Sequence, residues 1–357
     1  MFASIDFKKM DRKFPEYIYI QPTLRCNLRC KMCFQWGPGG YCRGKEAKLL
    51  KEEVTVDKWC EFIENIAIHK PIIGIWGGEP LVYKGIGELM RCVNSKGLKA
   101  GLITNGYFLE NYVEDIVSNI YLLGVSLDGP QEINDKLRGK GVFVKVIRGL
   151  EKILEIKTKQ KSSSPFIEVL FCVTEDNYRY MSQFYDYIKQ RFNADFVFEL
   201  GWYFNPEMRQ KYKQEMKERL NCEAFCGDGF VNTKPAEIDP EVIKKAIDEI
   251  EKSKGDSYVY FFTPLREMKR FLSDPGYTCG LTKCLAPVKK VGILPNGDVT
   301  FCHACPDYII GNVFKENLID IWNGDRANKF RNILKEKGLF SICSQCPSLY
   351  SITSGKI

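Results

Sequence analysis

The sequence predicts an α/β fold: a partial, TIM-like (β/α)6 barrel followed by a small Cys-rich α+β domain. Two observations predict the barrel. Six short apolar runs alternate with helical periods between residues 17 and 200, the pattern of parallel strands wound by crossover helices. Each run stops at a polar or glycine-bearing corner, where such barrels place their chemistry. A third observation sets the tail apart. From about residue 275, turns, short strands and cysteines replace that rhythm.

The elements follow in order. Tyr17 to Gln21 reads as a short strand that runs into three cysteines, and a polar loop with Gly37, Gly39, Gly40 and Cys42 comes next. Trp59, Phe62, Ile63 and Ile66 recur at helical spacing and give the next helix one buried face. Ile72 to Trp76 is the second strand and closes on Gly77-Gly78-Glu79-Pro80. Ile86, Leu89, Met90 and Val93 mark a helix, and Leu98 to Thr104 a third strand ending at Asn105-Gly106. A helix near Val113 to Asn119 leads to the strand Leu122 to Leu127, which ends at Asp128-Gly129. Val146, Leu150, Ile153 and Leu154 mark another helix. Residues 157–165 read as a loop. Ile167 to Val173 and Phe196 to Leu200 complete the strands. The expected domains are an extension over 1–17, the barrel over 18–200, a helical, substrate-side segment over 201–274, and the tail domain over 275–357. Within the third, Trp202, Tyr203 and Phe204 could shape a peptide groove.

Bulk properties exclude several classes. Net charge is +7, but basic and acidic residues are mixed, and no Lys/Arg block argues for nucleic acid. No apolar stretch is long enough for a membrane span. The first ten residues lack the pattern of a secretory signal. A cytoplasmic, reducing setting is therefore expected. There, fifteen cysteines, an odd number, favour metal or redox sites over a disulfide framework.

The densest cysteine cluster is Cys26-x3-Cys30-x2-Cys33. Three soft thiolates on one loop can hold three irons of a [4Fe–4S] cluster and leave the fourth open to an amine and a carboxylate. A zinc site is the rival, but zinc wants four ligands, and only Cys42 is near enough in sequence to be the fourth. The spacing resembles the signature of the radical S-adenosylmethionine (SAM) superfamily. The resemblance extends to Gly77-Gly78-Glu79-Pro80, which implies contact with the methionine amine of SAM. Glycines there let backbone approach a ligand, and Glu79 adds a negative acceptor. Asn105, at the third strand's end, joins this set. Val125 to Gly129 resembles the family's fourth-strand segment. That implies Ser126 and Asp128 on the ribose or carboxylate, and Arg138 paired with the carboxylate. Met32 falls where the family contacts adenine. The plainer alternatives are a strand-end turn, a solvated arginine and a packed methionine.

The tail carries Cys284-x12-Gly297-x4-Cys302 and then Cys343-x2-Cys346. Pro295-Asn296-Gly297-Asp298 closes a hairpin that brings Cys284 towards Cys302. A helix from about Leu318 to Lys337 returns the chain to Cys343. These features resemble the SPASM and twitch domains of radical SAM enzymes. The shorter twitch form fits best, because no cysteine follows Cys346. The resemblance implies one auxiliary [4Fe–4S] cluster on Cys284, Cys302, Cys343 and Cys346, with no open iron. A structural zinc on the same thiolates is the alternative. Cys60, Cys92 and Cys172 read as small core residues. Cys222, Cys226, Cys279 and Cys305 could form a further metal site. His303 stands where peptide-oxidising relatives carry an acidic base, and its proton affinity suits that role. A packed histidine is the alternative, as for His69.

The resemblance implies reductive cleavage of SAM to a 5′-deoxyadenosyl radical that takes a hydrogen atom from substrate. A reducing partner such as flavodoxin or ferredoxin would supply the electron. A single auxiliary cluster and the short stretch before the first strand favour a small polyol or amino-sugar-like substrate. A peptide or protein side chain, as in ribosomal peptide or sulfatase maturases, is the alternative. A non-catalytic iron–sulfur electron carrier is a third reading, which has no use for Glu79, Ser126 and Asp128.

Overall fold

The computed structural model describes residues 13–201, 204–231, 237–261 and 267–353. Most of the expected N-terminal extension, and Trp202 and Tyr203 of the expected groove, lie outside the described residues. The expected strands are all present: β1 (Tyr17–Ile20), β2 (Ile72–Ile75), β3 (Ala100–Thr104), β4 (Leu122–Ser126), β5 (Phe166–Val173) and β6 (Asp195–Leu200). They pair in parallel and in chain order. Alternation divides their side chains between two faces. Ile18, Ile20, Ile73, Ile75, Leu102, Leu123 and Val125 are fully buried on the outer face. The helices Val56–Ile66 and Ile86–Ser95 add Trp59, Phe62, Ile63 and Ile66, and Ile86, Leu89, Met90 and Val93, to the same core.

Two parallel strands beyond the expected six flank this set. β7 (Val259–Phe261) pairs with β6, and β8 (Lys290–Ile293) pairs with β1. β8 belongs to the tail. Its antiparallel partners β9 (Asp298–Thr300) and β10 (Gly311–Asn312) extend the sheet, whose order is β10-β9-β8-β1-β2-β3-β4-β5-β6-β7. The sheet therefore runs through the boundary expected near residue 275. The register shows why: Val291 and Ile293 stand beside Ile18 and Ile20 and continue their buried row. The expected tail helix is two, Leu318–Asn323 and Asp325–Lys337, broken where Gly324 takes an extended conformation. No helix among the described residues is long and apolar enough to cross a membrane.

The segment after β6 packs between the cysteine loop and the tail. Asn205 caps the helix Pro206–Leu220 by accepting from the Met208 amide at 2.7 Å. Phe230 stacks on Phe34 with ring centres 4.6 Å apart. Asp307, from the tail, is 5% exposed and accepts from the Tyr212 hydroxyl at 2.9 Å and from the Phe225 and Cys226 amides at 2.7 and 2.8 Å. Asp307→Ala leaves these donors without their acceptor. Urea unfolding is expected to show a loss of about 2–4 kcal/mol. A loss under about 0.5 kcal/mol, the range of ordinary surface changes, would mean that Asp307 does not tie the segment to the tail.

Candidate functional site

The cysteine loop is held by backbone contact with the end of β2. The Gly78 amide donates to the Thr23 carbonyl at 3.1 Å and the Glu79 amide to the Arg25 carbonyl at 2.8 Å. A Cβ at Gly77 would stand 2.4 Å from the Thr23 oxygen, and one at Gly78 would stand 2.2 Å from the Arg25 oxygen. Gly77 also has φ +141°, which side chains rarely adopt. The glycines thus make room for the loop's own backbone. Arg25 forks onto Glu53 at 2.6 and 2.9 Å, and the Trp36 indole donates to the Leu24 carbonyl at 2.8 Å.

Within the clamped loop, N–H donors reach the sulfurs of Cys26 and Cys33. The Leu28 amide lies 3.4 Å from the Cys26 sulfur, and the Asn105 amide group lies 3.7 Å from it. The Trp36 amide lies 3.4 Å from the Cys33 sulfur. Burial pushes the Cys26 thiol up to about 12 and the Cys30 thiol up to about 11, so an electrophilic metal is what would deprotonate them. Soft donors with N–H groups aimed at sulfur suit an iron–sulfur centre. No three Cys, His, Asp or Glu side chains among the described residues converge on a single-ion position, as a mononuclear zinc site would need. Cys42 is fully buried in a pocket with Leu24, Trp36 and Leu49.

Around the loop, Glu79 is fully buried. It accepts from the Leu81 amide at 3.0 Å, the Thr104 hydroxyl at 2.6 Å and the Asn105 amide at 2.7 Å. Burial nevertheless raises its pKa to about 7 against those bonds. A carboxylate has about four acceptor sites, so one remains for a ligand N–H. Asn105 is also fixed by Asn27, at 2.9 Å. Asp128 faces Arg138 and no open space: it accepts from Arg138 Nε at 2.5 Å and from the Cys172 amide at 2.8 Å. Asn177, missed in the sequence, braces the Asp128 carbonyl at 3.1 Å. Arg138 keeps both Nη groups without a hydrogen bond among the described residues, beside Cys30. Pro80 is buried behind Glu79, and Met32 is half-buried on the loop. Ser126 ends β4 on the inner face. Register places it beside Leu170, and Cys172, two residues on from Leu170, beside Glu199. Cys172 is therefore an inner-face residue close to Arg138 and Cys33, not the core residue expected.

In the tail, Cys284, Cys302, Cys343 and Cys346 lie near enough to influence one another. Burial, and then the charges of Cys284, Cys302 and Cys346, push the Cys343 thiol well up. Burial, and then Cys346, push Cys284 up to about 11. Cys222, Cys226 and Cys305 gather around Asp307: the Cys222 thiol donates to its carbonyl at 2.8 Å, and the Asp307 amide donates to the Cys305 carbonyl at 2.8 Å. Cys279 stands elsewhere, near Glu267 and Arg270, so these four do not share one site. His303 stacks on Tyr19 with ring centres 5.2 Å apart and meets Trp76 edge-on at 4.9 Å. Its Nδ1 is buried without a partner among the described residues. Burial, with the charge of Lys290, holds its pKa well below 6.5, so the ring is neutral and a weak base.

Comparison with known proteins agrees with this arrangement. The radical SAM superfamily model matches residues 20–183, and the SPASM model, an iron–sulfur cluster-binding domain, matches residues 284–347. The chain is 30% identical to the AdoMet-dependent heme synthase of Methanosarcina barkeri, over 92% of this chain and 88% of that protein. It is 23% identical to the serine-type anaerobic sulfatase-maturating enzyme of Bacteroides thetaiotaomicron, over 94% of this chain and 81% of that protein. Streptococcus suis SuiB bound to its precursor peptide SuiA shares the fold, with a TM-score of 0.65 at 17% identity over 96% of this chain and 72% of that one. The matched domains bring SAM, its [4Fe–4S] cluster and auxiliary cluster binding as the cofactors. The chain belongs to the radical SAM superfamily and carries a C-terminal SPASM domain.

Proposed function

We propose that this enzyme modifies a peptide or protein side chain. The observation that carries the reading is the likeness to a sulfatase-maturating enzyme over 94% of this chain and 81% of that one. It displaces the polyol or amino sugar expected from the sequence. A heme precursor is the second reading, favoured by the likeness to the heme synthase. When bound, the cluster and SAM supply reductive cleavage of SAM and a radical that abstracts hydrogen.

The chain's own residues take the following parts. Cys26, Cys30 and Cys33 are the ligands, and the Leu28, Trp36 and Asn105 N–H groups spread the charge of the thiolates. Glu79 offers its remaining acceptor site to the SAM amine, and Arg138 its Nη groups to the carboxylate. Ser126 lies at the ribose and Met32 at the adenine. Asp128 orients Arg138 and does not touch the ligand. Substrate lies against the inner face at Ser126, Cys172 and Glu199. Cys284, Cys302, Cys343 and Cys346 hold the auxiliary cluster over residues 275–357. A flavodoxin or ferredoxin supplies electrons. His303, neutral and packed, holds the tail hairpin against Tyr19 and Trp76 and can take a proton only weakly.

Three tests bear on this reading. Anaerobically reconstituted protein with SAM and dithionite is expected to release 5′-deoxyadenosine, and more of it with Ser- and Cys-containing peptides, which lose a hydrogen pair by mass. No 5′-deoxyadenosine sinks the enzyme; stimulation by a porphyrin but by no peptide moves the assignment to the second reading. Calorimetry should show SAM affinity flat above pH 8. Below about 7 Glu79 must first lose its proton, so affinity falls about tenfold per pH unit. A profile unchanged by Glu79→Gln contradicts the role of Glu79. Gly78→Ala should empty the loop site and leave about half the iron, in the tail; full iron content would mean the backbone contact is dispensable.

A further inference from the structure

Between the mouth of the barrel and the four tail cysteines lies a buried charged group that the reading above does not use. Lys290 opens β8 and is 3% exposed. Among the described residues it makes no ion pair with a carboxylate. Its Nζ donates to the Ser348 hydroxyl at 2.6 Å, two residues beyond Cys346, and lies 5.3 Å from the centre of the Tyr19 ring. Cys284 is joined to Lys290 by the single turn Ala286–Lys289 that leads into β8. A buried ammonium with one neutral hydrogen-bond partner costs stability unless an anion stands near. The first anions to act on it are the tail sulfurs: burial weakens the hold of Lys290 on its proton, and Cys346, Cys284 and Cys302, followed by the Glu199 carboxylate, are the neighbours that strengthen it.

We propose that Lys290 is the built-in counter-charge of the auxiliary cluster and sets its reduction potential. This rests on the reading that the tail cysteines hold that cluster. Four thiolates around an iron–sulfide core make an anion, and reduction makes it more negative, so a fixed positive charge favours the reduced state. Lys290 thereby makes the cluster a better electron acceptor. In the oxidation proposed above, substrate gives a hydrogen atom to the SAM-derived radical, one electron to the auxiliary cluster and one proton to water. The flavodoxin- or ferredoxin-type partner, left oxidised by the one electron it gave for SAM cleavage, takes that electron back from the cluster.

The test uses full-length protein with Cys26, Cys30 and Cys33 replaced by Ala, so that the only cluster signal comes from the tail. Redox titration followed by electron paramagnetic resonance is run on this parent, on Lys290→Met and on Lys290→Arg. Lys290→Met is expected to shift the reduction equilibrium about tenfold towards the oxidised form, about 59 mV for one electron. Lys290→Arg is expected to stay within about threefold of the parent. Loss of the cluster in Lys290→Met but not in Lys290→Arg also supports the proposal, because Arg keeps the positive charge and Met does not. A loaded Lys290→Met within about threefold of the parent overturns it, as does failure of both variants to load. A parent without tail iron overturns the cluster reading itself.

Discussion

Everything at the mouth of the barrel depends on one backbone contact. The chain entering the cysteine loop runs so close to Gly77-Gly78 that no Cβ fits between them. Two hydrogen bonds lock that approach, and Arg25, Glu53 and Trp36 hold its flanks. The loop is thereby docked to the end of β2, whose next residue, Glu79, reaches across to the end of β3. Cysteine loop, buried Glu79 carboxylate and Asn105 are thus set by one piece of local geometry. A loop of this length would otherwise lose its order to conformational entropy.

The second organising fact is that the buried charges are mostly consumed by the protein itself. Asp128 spends one oxygen on Arg138 and the other on the Cys172 amide. Glu79 has three of its acceptor sites filled. What remains open is small and directional: two Nη groups and one carboxylate lone pair. Groups held this way lose little freedom when a ligand arrives, so more of the contact energy appears as affinity. The raised pKa of Glu79 reflects the cost of keeping a carboxyl in that setting.

How legible this was in the sequence depended on range. Local alternation marked β1 to β6 within two residues of their ends, because parallel strands with one helix-covered face have a strong local signal. β7, three residues long, has almost none. The tail's membership of the sheet could not be read either, since Val291 beside Ile18 is a long-range pairing that no local pattern encodes. The cysteine spacing singled out the loop cysteines and the tail cysteines as two groups. It could not reveal Asn105 beside Cys26 or Asn177 beneath Asp128, both of which come from distant segments. Cys172 looked like core because alternation says that faces differ, not which one is inside. The glycines of the β2 corner were legible as a close approach, but the partner is the chain's own backbone.

The same long-range contacts argue that barrel and tail act as one unit. Tyr19 lies over Gly74 and stacks on His303, and His303 lies over Gly292 and meets Trp76 edge-on. A Cβ at Gly74 would stand 2.5 Å from the Tyr19 ring, and one at Gly292 would stand 2.6 Å from the His303 Cβ. Tail and barrel rings therefore share one packed layer, which no solvent-filled seam divides. Parallel pairing of β8 with β1 supplies a second tie, and Asp307 a third. Three ties of different kinds resist different motions: stacking resists separation, the strand ladder resists rotation, and Asp307 resists displacement of the segment that covers the loop. The tail cysteines are consequently held at a constant position relative to Cys26, Cys30 and Cys33. Any two groups bound at these two sets of cysteines would therefore keep one separation.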